Sequence, residues 1–106
     1  MDNVRPKLAE GIHALMGKLS PLRGDVVLFG SRARGDFREG SDWDLLVLLD
    51  KDRIEPSDYD TVTYPMRELG WELDAEVNPV LYTRQSWEAR RHTPFFKNVM
   101  AEGVPL

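Results

Sequence analysis

Residues 30–47 read GSRARGDFREGSDWDLLV, and this stretch, from Gly30 to Val47, joins two half-motifs across a short polar loop. An apolar run, Asp25 to Phe29 (DVVLF), leads straight into Gly30, so the first half is a strand that ends at a glycine turn. Gly30 lets a backbone approach a ligand closely, Ser31 opens a helix with a hydroxyl and an N–H, and Arg32 and Arg34 carry charge suited to phosphate oxygens. The second half, DWDLLVLL over residues 42–49, is a strand with its two carboxylates confined to one end. Asp42 and Asp44, two apart, point to the same side, as grasping a divalent cation requires.

The rest of the chain supplies the frame. Leu8, Ile12, Leu15, Met16 and Leu19 recur at helical spacing and predict an amphipathic helix over residues 5–19, closed by Pro21 and Gly24. The second half of the 42–49 strand is apolar on both faces, which predicts a strand covered on both sides. Residues 56–69 read as a helix with Ser57 as N-cap and Gly70 as C-cap. Residues 71–82, WELDAEVNPVLY, alternate as a third strand: Trp71, Leu73, Ala75 and Val77 face one way, Glu72, Asp74, Glu76 and Asn78 the other. Pro79 marks that strand as an edge, a bulge or a strand end. Short helices follow from Thr83 through Ala89 and over 94–102, before an apolar Val104-Pro105-Leu106 tail. The order helix, strand, strand, helix, strand, helix predicts an α/β (α+β) fold with a small mixed β-sheet flanked by helices. If the first two strands pair antiparallel, the glycine turn and the aspartates meet at one edge of the sheet.

Composition narrows the class. With 106 residues, residues 1–106 are expected to form a single domain. The chain is 42% hydrophobic and 30% charged, ordinary for a globular protein, and carries a net charge of −4. That charge argues against duplex-DNA binding, which needs a basic face, but leaves the locally basic loop of Arg32, Arg34 and Arg38 suited to a small phosphorylated ligand. The absence of cysteine excludes disulfides and thiolate chemistry. No run approaches the roughly 18–20 apolar residues of a membrane span, and the N-terminus lacks a signal-like apolar stretch, so a cytoplasmic protein is expected.

Taken together, GSRARG followed by SDWDLLV resembles the signature of the minimal nucleotidyltransferases, within the DNA polymerase beta-like nucleotidyltransferase superfamily. The specific match spans Gly30 to Val47; the element order extends it loosely to the whole chain. The resemblance implies that Gly30 and Ser31 bind a triphosphate, with Arg32 and Arg34 as further nucleotide contacts. It also implies that Asp42 and Asp44 hold Mg²⁺, two ions in all, and that ATP donates AMP to a hydroxyl with loss of pyrophosphate. A third carboxylate completes the catalytic set in such enzymes. Glu76 is the favoured residue and Asp74 the alternative, and their shared parity on the third strand does not separate them. Trp43 is bulkier than the aliphatic residue usual between the aspartates; facing the other side, it is expected to pack.

The resemblance also implies a partner. Members this small are often paired with a small helical HEPN-type protein in toxin–antitoxin systems, so an antitoxin-like or regulatory subunit is one alternative role. A nucleotide-binding module without turnover is another, and the chain is compatible with an oligomer. Elsewhere, simpler readings prevail. His13 and His92 have no partner spacing, Trp71, Trp87, Phe95 and Phe96 belong to core or interface, and residues 50–53 form a solvated turn.

Overall fold

A computed structural model describes residues 3–106. The first two positions of the expected 1–106 domain lie outside the described residues. Helix α1 (Val4–Lys18) precedes strand β1 (Gly24–Phe29), the single-turn helix α2 (Ser31–Arg34) and strand β2 (Trp43–Leu49). A short helix α3 (Pro56–Asp58) runs through a π-helical stretch (Tyr59–Thr63) into α4 (Tyr64–Glu72). Strand β3 (Val77–Thr83), helices α5 (Arg84–Glu88) and α6 (Pro94–Glu102) and the two-residue strand β4 (Val104–Pro105) complete the chain.

Among the described residues the strands form one sheet in the order β3-β2-β1-β4. β1 pairs antiparallel with β2 and with β4, while β2 and β3 run parallel, which makes the sheet mixed as expected. β2 is central, and its apolar half has helices on both sides. Leu45, Val47 and Leu49 join Leu8 and Ile12 of α1, Val62 of the π-helical stretch and Met66 of α4 in the larger core. Leu46 turns the other way, against Trp87 of α5 and Val99 of α6, with Phe95 and Phe96 packed alongside. Trp43 is buried in the larger core, so its bulk is packing. Both edge strands carry a proline, Pro79 in β3 and Pro105 in β4, and each removes a donor from an edge where another strand would otherwise pair.

Two boundaries differ from the sequence reading. The helix leading to α4 starts at Pro56 as read, but its N-cap lies two residues before Ser57: it is Glu55, in a capping box with Asp58. At its other end α4 passes through Gly70 to Glu72, so Gly70 is no C-cap and β3 begins only at Val77. The physical reason lies at Gly70, where a Cβ would stand 2.5 Å from Val77 Cγ2. The bare backbone lets the incoming strand cross the helix closely, and the turn that makes this crossing has Asp74 at φ 54°. The Val104-Pro105 tail, in turn, adds a strand by pairing with Val27 and Leu28.

Candidate active site

The site lies where β1 ends and β2 begins. Antiparallel pairing sets Phe29 opposite Asp44, which brings Gly30 against the Asp44 carboxylate. Gly30 has φ 76° and ψ −159°, a conformation open essentially to glycine alone, and a Cβ there would collide with Asp44 Oδ2. From Gly30 the chain turns at once into α2: the Gly30 carbonyl accepts from the N–H groups of Ala33 and Arg34, at 3.1 and 3.0 Å. Gly35, left-handed at φ 91°, closes the turn by donating to the Ser31 carbonyl. Ser31 therefore stands at the first position of a tightly closed turn.

Asp44 is half-buried at the polar end of β2, while Asp42, just before the strand, is exposed. Burial pushes the Asp44 carboxyl above the usual carboxylate range, and the Asp42 charge and, more weakly, Glu102 push the same way. A hydrogen bond from Asn78 Nδ2 to Asp44 Oδ1 (3.3 Å) and the charge of Arg34 oppose the rise. Asn78 holds this position because the parallel register pairs Asp44 with Asn78.

The arginines diverge. Arg34 stands on the Asp44 side, where its guanidinium donates to Glu102 Oε2 at 2.7 Å and to Asp36 Oδ2 at 3.2 Å. Arg32 turns toward the other side of β2. Its guanidinium lies between the rings of Phe37 and Trp43, 4.3 and 4.6 Å from their centroids, and donates through Nε and Nη2 to the Ser41 carbonyl. Arg32 thus braces the loop that delivers Asp42.

The acids after α4 are also placed apart. Glu76 is exposed and lies one residue before the Val77–Trp43 pair, alongside Asp42; its carbonyl accepts from Trp43 N at 2.8 Å. Asp74 is exposed on the left-handed turn, where its N–H donates to the Trp71 carbonyl. Both line an open cleft of about 850 Å³ that lies beside Trp43 and Ser41. Among the described residues, no three His, Cys, Asp or Glu side chains come close enough to hold a metal by themselves. The Asp42–Asp44 pair nonetheless fits a hard divalent ion. Mg²⁺ takes only one or two carboxylates and completes its shell with water and substrate phosphates. A half-buried carboxylate whose ionised form is disfavoured by its surroundings is the donor a cation stabilises.

Two residues near the site escaped the sequence reading. Asn78 was legible in principle, because it shares the parity of Glu76 and follows it by two. Glu102 comes from the last helix, 68 residues from Arg34, and carries no local signal.

A family model described as a nucleotidyltransferase domain matches residues 12–95. Among curated proteins, the chain is similar to a putative protein adenylyltransferase of Methanocaldococcus jannaschii, 29% identical over 104 residues that cover 98% of each chain. Among solved structures, it is similar to a chain in a crystal structure of a toxin–antitoxin with AMP-PNP. The TM-score is 0.58 at 23% identity, over 92% of this chain and 70% of the other.

Proposed function

This chain belongs to the nucleotidyltransferase domain family, and from that premise we propose that it transfers AMP from ATP, with Mg²⁺, to a hydroxyl on a partner protein. The observation that carries the reading is the meeting of the Gly30–Ser31 turn with Asp44 at one end of the sheet. The matched relative is named as a protein adenylyltransferase, which supports AMP and a protein acceptor. In this reading Gly30 admits the triphosphate to the backbone, Ser31 presents its hydroxyl and N–H to phosphate oxygens, and Arg34 exchanges a carboxylate partner for a phosphate. Arg32, on the Trp43 side of β2, serves the nucleotide indirectly by holding the loop before Asp42 in place.

Asp42 and Asp44 would hold Mg²⁺, which when bound neutralises phosphate charge and activates the phosphoryl group as a Lewis acid. Glu76, beside Asp42, is the proposed third acid, and Asp74 on its turn is the alternative. Glu76 takes the proton of the attacking hydroxyl as the new oxygen–phosphorus bond forms, and the bond to the departing pyrophosphate breaks. The test is incubation with ATP, Mg²⁺ and a candidate acceptor, with pyrophosphate release and intact-mass readout. With wild type the acceptor should gain the mass of one adenylyl group, and with Asp44→Asn it should gain none; equal labelling by the variant overturns the assignment.

A second reading concerns the setting. The solved structural neighbour is part of a toxin–antitoxin, which favours a two-component pairing in which this chain is the antitoxin-like subunit and a small helical HEPN-type protein is the acceptor. The two readings are compatible, since adenylylating the partner would itself regulate it. Co-expression with a small helical protein encoded beside it, followed by co-purification and mass analysis of that protein, tests the pairing.

A further inference from the structure

The cleft beside Trp43 has no role in holding the nucleotide as described above, and its chemistry differs from that of the phosphate turn. Its walls carry Phe37 and Trp71, 42% and 50% exposed, and the carboxylates of Glu39, Asp74 and Glu76. Trp71 is held edge-on against Tyr64, about two helical turns earlier on α4, at 5.9 Å between ring centroids, and Tyr64 is itself half exposed. Among the described residues that line the cleft the one cation is Arg32, which is committed to two rings and to the Ser41 carbonyl. Three carboxylates against that one engaged guanidinium repel a triphosphate and attract a cation, and exposed aromatic faces add attraction for an ammonium or guanidinium group. The cleft borders the proposed chemistry: Ser41 and Trp43, which line it, are the chain neighbours of Asp42, and Glu76, the proposed third acid, is part of its wall.

We propose that this cleft docks the acceptor, and that the acceptor is a polypeptide segment carrying lysine or arginine next to the hydroxyl residue. The proposal rests on the protein-hydroxyl reading of the transfer and assigns it an entry side. The nucleotide occupies the Gly30–Asp44 side of β2, and the acceptor approaches from the Trp43 side with its basic residues against Glu39 and Asp74 and its backbone across Trp71. Surface charge then sets which hydroxyl is modified, and the preference weakens with salt.

The test uses the full chain with Mg²⁺ and ATP and two heptapeptides, each with a central tyrosine, one flanked by lysines and the other by glutamates. Binding is followed by tryptophan emission and transfer by peptide mass. The lysine peptide is expected to bind and react at least about tenfold better than the glutamate peptide. Glu39→Lys, at a cleft residue outside the catalytic set, should shrink that preference to within about threefold while ATP binding is unchanged. Trp71→Phe, a second and milder variant, should remove most of the emission change and leave ATP binding intact. A wild type that binds both peptides equally overturns the proposal, as does a preference untouched by Glu39→Lys. Selective binding without transfer leaves the docking site standing and rejects the transfer to protein hydroxyls. Transfer without selectivity does the reverse.

Discussion

Gly30 and Asp44 are mutually exclusive with a larger residue at position 30: the space that a Cβ would take is already filled by Asp44 Oδ2. The turn that would cradle phosphate and the carboxylate that would hold the metal are therefore one steric unit, built by the Phe29–Asp44 register of β1 and β2. Gly30→Ala should damage both. Its backbone penalty at φ 76°, ψ −159° is about 1–3 kcal/mol, and the added methyl must also push the Asp44 carboxylate aside. Urea unfolding should show the lost stability and pyrophosphate release the lost activity. A variant that is destabilised but as active as wild type would separate the two roles and break the unit.

Asp44→Asn should uncouple activity from stability. Burial raises the carboxyl of Asp44, helped by the neighbouring Asp42 charge, so its ionised form is less favourable in the folded chain than in the unfolded one. The cost to stability is present above the unfolded carboxylate range and is relieved as pH falls through the raised value. A neutral amide escapes it at every pH. Without metal, the variant should melt at or above the wild-type temperature near pH 7, and the difference should narrow in acid. Transfer should nevertheless fall at least about a hundredfold, in line with the several kcal/mol a bound metal contributes. Thermal melts in a chelator, set beside Mg²⁺-dependent product formation, check both halves.

How far this site was legible in the residues depended on how local each signal was. The Gly30 turn and β2 announce themselves through an apolar run stopped by glycine and a strand whose carboxylates cluster at one end. The start of β3 did not, because WELDAEVN alternates as a strand does while its first two residues finish α4. What overrides the alternation is the close crossing of Val77 over Gly70, a tertiary contact that no local periodicity encodes. The same limit applies to β4, two residues whose strand character comes from Val27 and Leu28, and to Glu102, whose place beside Arg34 is set by the packing of α6. Asn78 lies between these cases: its parity is readable, but that it faces Asp44 follows only from the parallel register.

Asp58 is expected to contribute acid sensitivity to the fold. Burial pushes its carboxyl up, but the Glu55 N–H at 2.7 Å and the Lys51 ammonium at 2.9 and 3.0 Å more than offset this, leaving it below the usual range. A depressed carboxylate adds stability that is present above the unfolded value, near pH 4, and is lost as pH falls through the folded one. Asp58→Asn should therefore cost about 1–2 kcal/mol at pH 7 and make stability flatter below pH 4 than in wild type. Denaturant midpoints across that range test it; parallel acid limbs in the two proteins would move the sensitivity elsewhere.

Arg34 and Glu102 make the sharpest kinetic test, because the ion pair competes with the proposed phosphate contact. Glu102, 17% exposed, holds Arg34 Nη1 at 2.7 Å and adds negative potential at Asp44. If Arg34 binds the triphosphate, Arg34→Ala should raise KM for ATP about tenfold, the worth of one charge-assisted contact. Glu102→Gln keeps a polar group of the same shape but removes the competing charge, so KM should fall, by about two- to fivefold, as expected for a half-exposed pair. The decisive measurement is the double variant. When Arg34 is already alanine, Glu102→Gln has no guanidinium to release, and its effect on KM should shrink to the residual influence on Asp44. An equal fall in KM with and without Arg34 would show that Glu102 acts on the carboxylates alone, and Arg34 would then be a bracket for α6 instead of a nucleotide ligand.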